Sequence, residues 1–299
     1  MHQPKFAVLL AAYNGMQWIA DQLDSILAQK DVIVQIFISI DTSSDDTLNW
    51  CLSKATQDTR ITVLPSTEHF GGAAKNFFHL IREVDFRDFD YIAFADQDDL
   101  WLPDKLSTAH NRIIDGNYAA YSGNVTAFWE DGRQMLINKA QPQRKYDFLF
   151  EAAGPGCTYV LRTSYALKFK FFLIQNWDAV NGLSLHDWFI YAWYRANNLP
   201  WYIDIASKIL YRQHNHNQVG ANQGIKAILK RLAMIRSGWY YSEINKFSCL
   251  LRPSLYKELP EIYHSDTISR RFIIQNSGQI RRRLRDRLFL FILVMFRIY

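Results

Sequence analysis

Cysteine is scarce in this chain of 299 residues, with only Cys51, Cys157 and Cys249, far apart and odd in number. No C-x-x-C spacing occurs, so neither a disulfide framework nor a zinc ribbon is supported, and a reducing cytoplasmic compartment is expected. Long hydrophobic runs are also missing. The longest uncharged apolar stretch, Leu288 to Phe296, has nine residues, whereas a membrane-spanning helix needs roughly 20. The opening Met1-His2-Gln3-Pro4-Lys5 leads straight into a short apolar run, and no secretory leader is expected from it. Several enzyme signatures are absent too. The lack of G-x-x-x-x-G-K-[ST] disfavours a P-loop nucleotidase, and the lack of G-x-G-x-x-G after the first strand disfavours a dinucleotide oxidoreductase. H-E-x-x-H and G-x-S-x-G are likewise missing, which removes the commonest zinc-protease and serine-hydrolase patterns.

What is present is globular. Apolar residues make up 49%, aromatics 15% and charged residues 21%, enough to bury a large core and too apolar for disorder. The net charge of +5 is unevenly spread. Residues 225–299 hold 15 Lys and Arg against 5 Asp and Glu, which is +10, so the remainder carries −5. An acidic body with a basic tail points to a cation-binding role in the first and an anionic partner for the second.

Strand-length apolar runs alternate with amphipathic stretches through the first hundred residues. Phe6–Ala11, Val34–Ile40, Ile61–Leu64 and Tyr91–Ala95 read as strands, the first and last apolar on both faces as in buried parallel strands. Between them, Gln17–Gln29, Asp45–Lys54 and Ala73–Val84 have helical spacing. The alternation predicts an α/β fold with a mostly parallel sheet flanked by helices. An aromatic helix is expected over Asp187–Ala196 and a strand over Ile203–Leu210. From 225 onward the pattern turns helical and basic, which sets domains of 1–222 and 223–299.

In such sheets ligands bind beyond the carboxyl ends of the strands. The first strand ends in Ala12-Tyr13-Asn14-Gly15, the second in Asp41-Thr42-Ser43-Ser44-Asp45-Asp46-Thr47, the fourth in Asp96-Gln97-Asp98-Asp99. Ser44 or Asp45 suits a helix cap; Asp41, at the strand end itself, suits a base or ribose. Three carboxylates within four residues repel one another unless a cation offsets them. A hard divalent ion, Mg²⁺ or Mn²⁺, would do so and complete its shell with substrate phosphates; a solvated acidic turn before a helix near Pro103 is the other reading. With the excluded classes removed, a metal-dependent activity on a phosphorylated ligand is left.

Two later stretches extend the pattern. Asp187, in Leu185-His186-Asp187-Trp188-Phe189, is either an N-cap or a carboxylate base beside aromatic walls that shape a sugar pocket. Tyr211-Arg212-Gln213-His214-Asn215-His216-Asn217-Gln218 is either a polar loop or a place where Arg212 meets a diphosphate and His214 a metal or phosphate.

In this order the segments AAYNG, ISIDTSSDDT, HFGGAAKNF (which contains Lys75) and FADQDDLWLPDKL resemble the family 2 glycosyltransferases with the GT-A, Rossmann-like fold, over about residues 5–222. HDWF and YRQHNHNQVGAN resemble a subgroup that includes rhamnosyltransferases of bacterial surface-polysaccharide assembly. The block at Ile40-Asp41-Thr42 departs from the family's Asp-Asp-Gly. The resemblance implies an inverting transfer from a nucleotide sugar, with dTDP-rhamnose the leading donor and UDP-hexose the alternative, onto a lipid-linked saccharide of O-antigen or capsule. Ala12, Tyr13, Asn14, Asp41, Lys75, Asp96, Gln97 and Arg212 would bind the donor, Asp98 and His214 the metal, and Asp187 would be the general base. The chemistry agrees: a nucleoside diphosphate leaving group needs a cation, and an incoming hydroxyl needs a separate carboxylate to take its proton. A non-catalytic nucleotide-binding scaffold and a nucleotidyltransferase are the competing classes.

The tail contains Arg281-Arg282-Arg283-Leu284-Arg285-Asp286-Arg287 just before the apolar run. Basic residues at an anionic leaflet are worth about 1 kcal/mol each, so peripheral association with the inner face of the cell membrane is expected. The alternative is a C-terminal helix packed on the body. Nucleic acid is not expected as a partner, because the rest of the chain is acidic and no nucleic-acid motif accompanies the tail.

Overall fold

The computed structural model describes residues 3–65, 69–214, 233, 237–255, 263–264 and 267–295. Strands β1 (Lys5–Ala12), β2 (Ile33–Ile40), β3 (Ile61–Val63) and β4 (Tyr91–Ala95) alternate with helices α1 (Ile19–Leu27), α2 (Thr47–Gln57) and α3 (Ala73–Glu83). The apolar runs thus form strands within a residue or two of the expected bounds. The four pair in parallel in the order β3-β2-β1-β4. Beyond β4 the sheet becomes mixed. β8 (Val160–Arg162) pairs antiparallel with both β4 and β6 (Ala120–Phe128), and β9 (Trp201–Arg212) runs parallel to β6. Two short strands close the periphery: β5 (Leu100–Trp101) on β9 and β7 (Gln134–Ile137) on β6.

β1 shows why the sheet has helices on both faces. Its side chains alternate by the two-residue period of a strand. Phe6, Val8, Leu10 and Ala12 join Ile19, Leu23 and Ile26 of α1 and Leu106 and Ile113 of α4 (Lys105–Asp115). Ala7, Leu9 and Ala11 join Phe77, Phe78 and Ile81 of α3 and the aromatic helix α7 (His186–Ala196). α7 is buried along most of its length, with Trp188, Phe189, Tyr191, Trp193 and Tyr194 all enclosed. Each such ring removed from water contributes about 1.5–3 kcal/mol, which more than offsets the modest helix propensity of aromatics.

The C-terminal residues are continuous with this second core. Helix α8 (Trp239–Leu255) sets Ile244, Phe247 and Leu251 into it, and α9 (Arg270–Gln275) and α10 (Leu284–Met295) add Phe272, Ile273, Leu290 and Val294. The boundary expected after 222 lies outside the described residues. Two of the tail arginines correct their expected role. Arg282 is 3% exposed and ion-paired with Asp147 (3.2 Å) and Glu151 (3.5 Å). Arg281 donates to Tyr240 Oη (2.7 Å) and pairs with Glu151. Buried Asp147 needs a counter-charge and holds Arg282 inside the protein, while half-buried Glu151 turns Arg281 onto the body, so both are engaged by the protein. No helix among the described residues is long and apolar enough to cross a membrane. Cys51 and Cys157 are buried, and Cys249 on α8 is exposed.

Candidate active site

The parallel register brings three strand ends to one height: Ala12 is level with Ile40, and Leu10 with Ala95. The loops that leave them are laced together. Asn14, in the left-handed region at φ 47°, donates its N–H to Ser43 Oγ and accepts from Ser44 N–H (2.7 Å). Gly15 N–H donates to Thr47 Oγ1. Asp45 accepts from Met16 N–H and Thr47 N–H, so it braces both loops; α2 begins after Asp46, which makes no side-chain cap. From the third loop, Gln97 pairs reciprocally with the Tyr13 backbone, accepting its N–H and donating to its carbonyl, both at 2.7 Å. The Tyr13 ring is left exposed above this lacing.

Asp41 is the most heavily engaged acid of the site. Its carboxylate accepts N–H bonds from Thr42, Phe70 and Gly71 at 2.8–2.9 Å, and His69 Nδ1 lies 2.9 Å from it. It therefore clasps the approach to α3, whose first turn carries the exposed Lys75. The Ala12 carbonyl accepts from Asp41 N–H and, at 3.4 Å, from Asn76 of α3. Hydrogen bonds to charged groups contribute about 1.5–3 kcal/mol each. Asp41→Ala, which strands buried Phe70 N–H, is expected to lower stability by at least about 2 kcal/mol, measured as a fall in urea midpoint with unchanged m-value.

The acids of Asp96-Gln97-Asp98-Asp99 enter three different surroundings. Asp98 Oδ2 lies 2.8 Å from His214 Nε2, and the imidazole stacks on Trp18 with ring centroids 3.9 Å apart. Arg212 braces the same turn: its Nε donates to Asp98 O, its N–H to Asp99 Oδ1, and its guanidinium pairs with Asp21 (3.0 Å). Asp99 points inward, fully buried, toward Cys157. The buried ammonium of Lys105 sits 3.5 Å over the Trp101 ring, and burial pushes it down to about 7 while Cys157 and Asp99 oppose that. Asp96 lies between, pushed up to about 7 by burial and then by the charges of Asp98 and Asp187.

Asp187 reaches this centre from α7. It is not the N-cap, which is Leu185; it sits in the first turn, where its Oδ1 accepts Trp188 N–H (2.7 Å). Burial raises its carboxyl to about 6, against the opposing N–H of Trp188 and the ammonium of Lys139. The wall behind it is Gly156, where a Cβ would come 2.6 Å from His186 Nε2 and 3.2 Å from Asp187 Cβ. Only a glycine lets α7 approach so closely.

Asp96, Asp99 and Cys157 have ligand atoms within 4.8 Å of one another. Burial holds the Cys157 thiol well above its ordinary range, with Asp99 and Asp96 adding to it, so it offers a protonated soft donor unsuited to a hard ion. Asp98 and His214, each slightly exposed, would offer a carboxylate oxygen and an imidazole nitrogen to Mn²⁺ or Mg²⁺. A cation there would relieve the crowding of negative charge at Asp96.

Residues 7–178 match the family described as "Glycosyl transferase family 2". The chain belongs to that family. Within family 2, it is 42% identical to the dTDP-rhamnosyl transferase RfbG of Shigella flexneri, over 97% of this chain and 100% of that one. It is 27% identical to the Escherichia coli UDP-Glc:alpha-D-GlcNAc-diphosphoundecaprenol beta-1,3-glucosyltransferase WfgD, over 60% of this chain and 68% of that one. Among solved structures, the mannosyltransferase PcManGT of Pyrobaculum calidifontis in complex with GDP-Man and Mn²⁺ has a TM-score of 0.51 at 16% identity, covering 85% of this chain and 70% of that one. The fold is the GT-A form of the family 2 glycosyltransferases.

Trp18, Lys139 and Gly156 escape a sequence reading of this family 2 site. Trp18 lies only five residues past Tyr13, and Gly156 belongs to a Gly-Pro-Gly cluster that marks a tight turn. Lys139 carries no such cue.

Proposed function

We propose that this family 2 enzyme transfers rhamnose from dTDP-rhamnose, with inversion, to a lipid-linked saccharide during surface-polysaccharide synthesis at the cytoplasmic face of the membrane. The observation that carries it is Asp96, which at one sheet edge feels the charges of both Asp187 and Asp98, the latter paired with His214. Resemblance to the Shigella rhamnosyltransferase along the whole chain supports the donor. The E. coli relative's name supports a diphosphate-linked lipid acceptor and, as a second reading, a UDP-hexose donor.

In the proposed reaction Asp187 takes the proton of the accepting hydroxyl as it attacks the anomeric carbon, and the nucleoside diphosphate departs from the opposite face. The acceptor is thereby joined in one displacement, without an enzyme nucleophile. Asp98 and His214 would hold Mg²⁺ or Mn²⁺, which when bound stabilises negative charge on the diphosphate. Tyr13 and Asn14, fixed by Gln97 and Ser43, border the base and ribose. Arg212 keeps the 98–99 turn in place and Lys75 stands at the rim.

A thermal-shift panel tests the donor. dTDP-rhamnose with Mn²⁺ is expected to raise the melting temperature more than UDP-glucose or GDP-mannose, by mass action on the folded state. A larger shift with UDP-glucose would replace the donor assignment, and no shift with any nucleotide would reject the reading.

The catalytic residues all lie within 1–222, and we assign membrane contact to 223–299. α10 supports this with a face that Leu284, Leu288 and Ile292 leave open at i, i+4 and i+8, beside exposed Arg285. Leu290 and Val294 secure the opposite face to the core. Paired Leu288→Glu and Ile292→Glu substitutions are expected to abolish flotation with phosphatidylglycerol vesicles while leaving the melting temperature unchanged. Undiminished flotation would rule α10 out as the contact.

A further inference from the structure

One cluster of charge beside the site is not used by the reaction described above. Asn124, buried, accepts N–H bonds from Lys139 (2.6 Å) and Ala140 (3.1 Å), which fixes the chain leaving β7. There Lys139 Cβ passes 3.7 Å from where a Cβ on Gly154 would stand, two residues from the Gly156 wall that supports Asp187. The Arg283 guanidinium donates to the neighbouring Asn138 carbonyl, which joins the C-terminal segment to the same place.

The charges here do not balance. Asp147 is shared between Arg195 and Arg282, and Glu151 between Arg281 and Arg282. Those two carboxylates are consumed by three arginines. Among the described residues no carboxylate is ion-paired with Lys139 or Arg283. Burial, followed by Arg283 itself, depresses the Lys139 ammonium to about 8. Glu151 acts on Lys139 only from beyond ion-pair distance, and cations gathered with no carboxylate in contact suit a ligand that brings an anion.

We propose that Lys139 and Arg283 receive an anionic phosphate-ester group of the acceptor, a diphosphate for a lipid-linked saccharide, next to the Asp187 base. This rests on the glycosyl-transfer reading and extends it: the C-terminal segment, through Arg283, becomes part of the acceptor site. The Lys139 charge reaches Asp187, so the proposed phosphate position lies on the side of the general base where the acceptor enters.

The test compares two acceptors on the full-length enzyme, one sugar presented as an alkyl diphosphate ester and the same sugar as an uncharged alkyl glycoside. Arg283→Gln is expected to lower kcat/KM at least about tenfold on the diphosphate, mainly through KM, and to stay within about twofold of the parent on the glycoside. Lys139→Gln, which also removes a charge acting on Asp187, is expected to lose at least about tenfold more on the diphosphate than on the glycoside. Equal losses on both acceptors would overturn the proposal and leave Lys139 acting on Asp187 alone. Equal use of the two acceptors by the parent enzyme would also overturn it. Transfer to the glycoside that disappears in Asp187→Asn secures the underlying reading whatever the charge preference; absence of transfer to either acceptor rejects both. A membrane headgroup is the other source of such a phosphate. Loss of phosphatidylglycerol flotation in Lys139→Gln with acceptor kinetics intact would assign the cluster to the lipid surface and overturn the acceptor assignment.

Discussion

Asp187→Asn is expected to reduce turnover by roughly 10²- to 10⁴-fold, the range of a positioned general base, and to leave nucleoside-diphosphate affinity almost unchanged. The amide retains the size of the carboxyl and its acceptor oxygen toward Trp188 N–H, so α7 should stay in place against Gly156. The pH profile supplies a second readout. A base must be ionised to act, and burial sets the Asp187 carboxyl at about 6. The parent enzyme should therefore lose kcat/KM as the pH falls below about 6, tenfold per unit, and be level above that. With saturating divalent cation Asp96 should ionise more easily, so a single acid limb is expected. In Asp187→Asn the residual rate should lack that limb. A variant that retains both turnover and limb would assign the base to another group.

Asp98→Ala is expected to act on binding. Its loss removes the oxygen donor facing His214 and frees the imidazole to pivot on Trp18. Donor affinity measured with Mn²⁺ should weaken by at least about 10- to 100-fold and become insensitive to EDTA. In the parent, chelation should reproduce that weakening. Titration calorimetry with dTDP, with and without Mn²⁺, separates the outcomes. If Asp98→Ala still binds dTDP in a Mn²⁺-dependent way, the ion is held by Asp96 with Asp99 instead. Asp99→Asn distinguishes the two, because an inward carboxyl beside Lys105 should matter for stability and little for the ion.

Much of the frame was readable before the fold. FAVLLA and YIAFA are apolar on both faces, and both become buried parallel strands; the loops that follow them meet at the sheet edge because parallel strands end together. HDWF left two readings of Asp187, an N-cap or a carboxylate base, and the fold removes the first because Leu185 holds the cap position. What escaped depends on distant contacts. Asp96, Asp98 and Asp99 look equivalent in a string of four residues, yet Cys157 and Lys105 draw one of them inward and His214 another outward. Asp41 looks like a ligand contact, and its clasp on Phe70 and Gly71 appears only when the loop before α3 folds back over β2. The arginines of the tail could not be sorted by counting. Asp147 lies about 135 residues upstream of Arg282, and only the packing of α7 against the C-terminal helices brings the two together. The Trp18–His214 stack spans a still longer separation and leaves no periodic trace.

The unequal burial of the three thiols makes the chain its own conformational reporter. Cys249 is open to solvent on α8, while Cys51 is enclosed between α2 and the sheet and Cys157 lies beneath the acidic turn. A maleimide reagent should therefore mark the native protein once and the unfolded protein three times. The second and third labels arrive only as the core opens, so their rates give the frequency of that opening without any introduced probe. Protection of Cys157 by a nucleotide sugar, at constant labelling of Cys249, would locate the stiffening directly under the bound diphosphate.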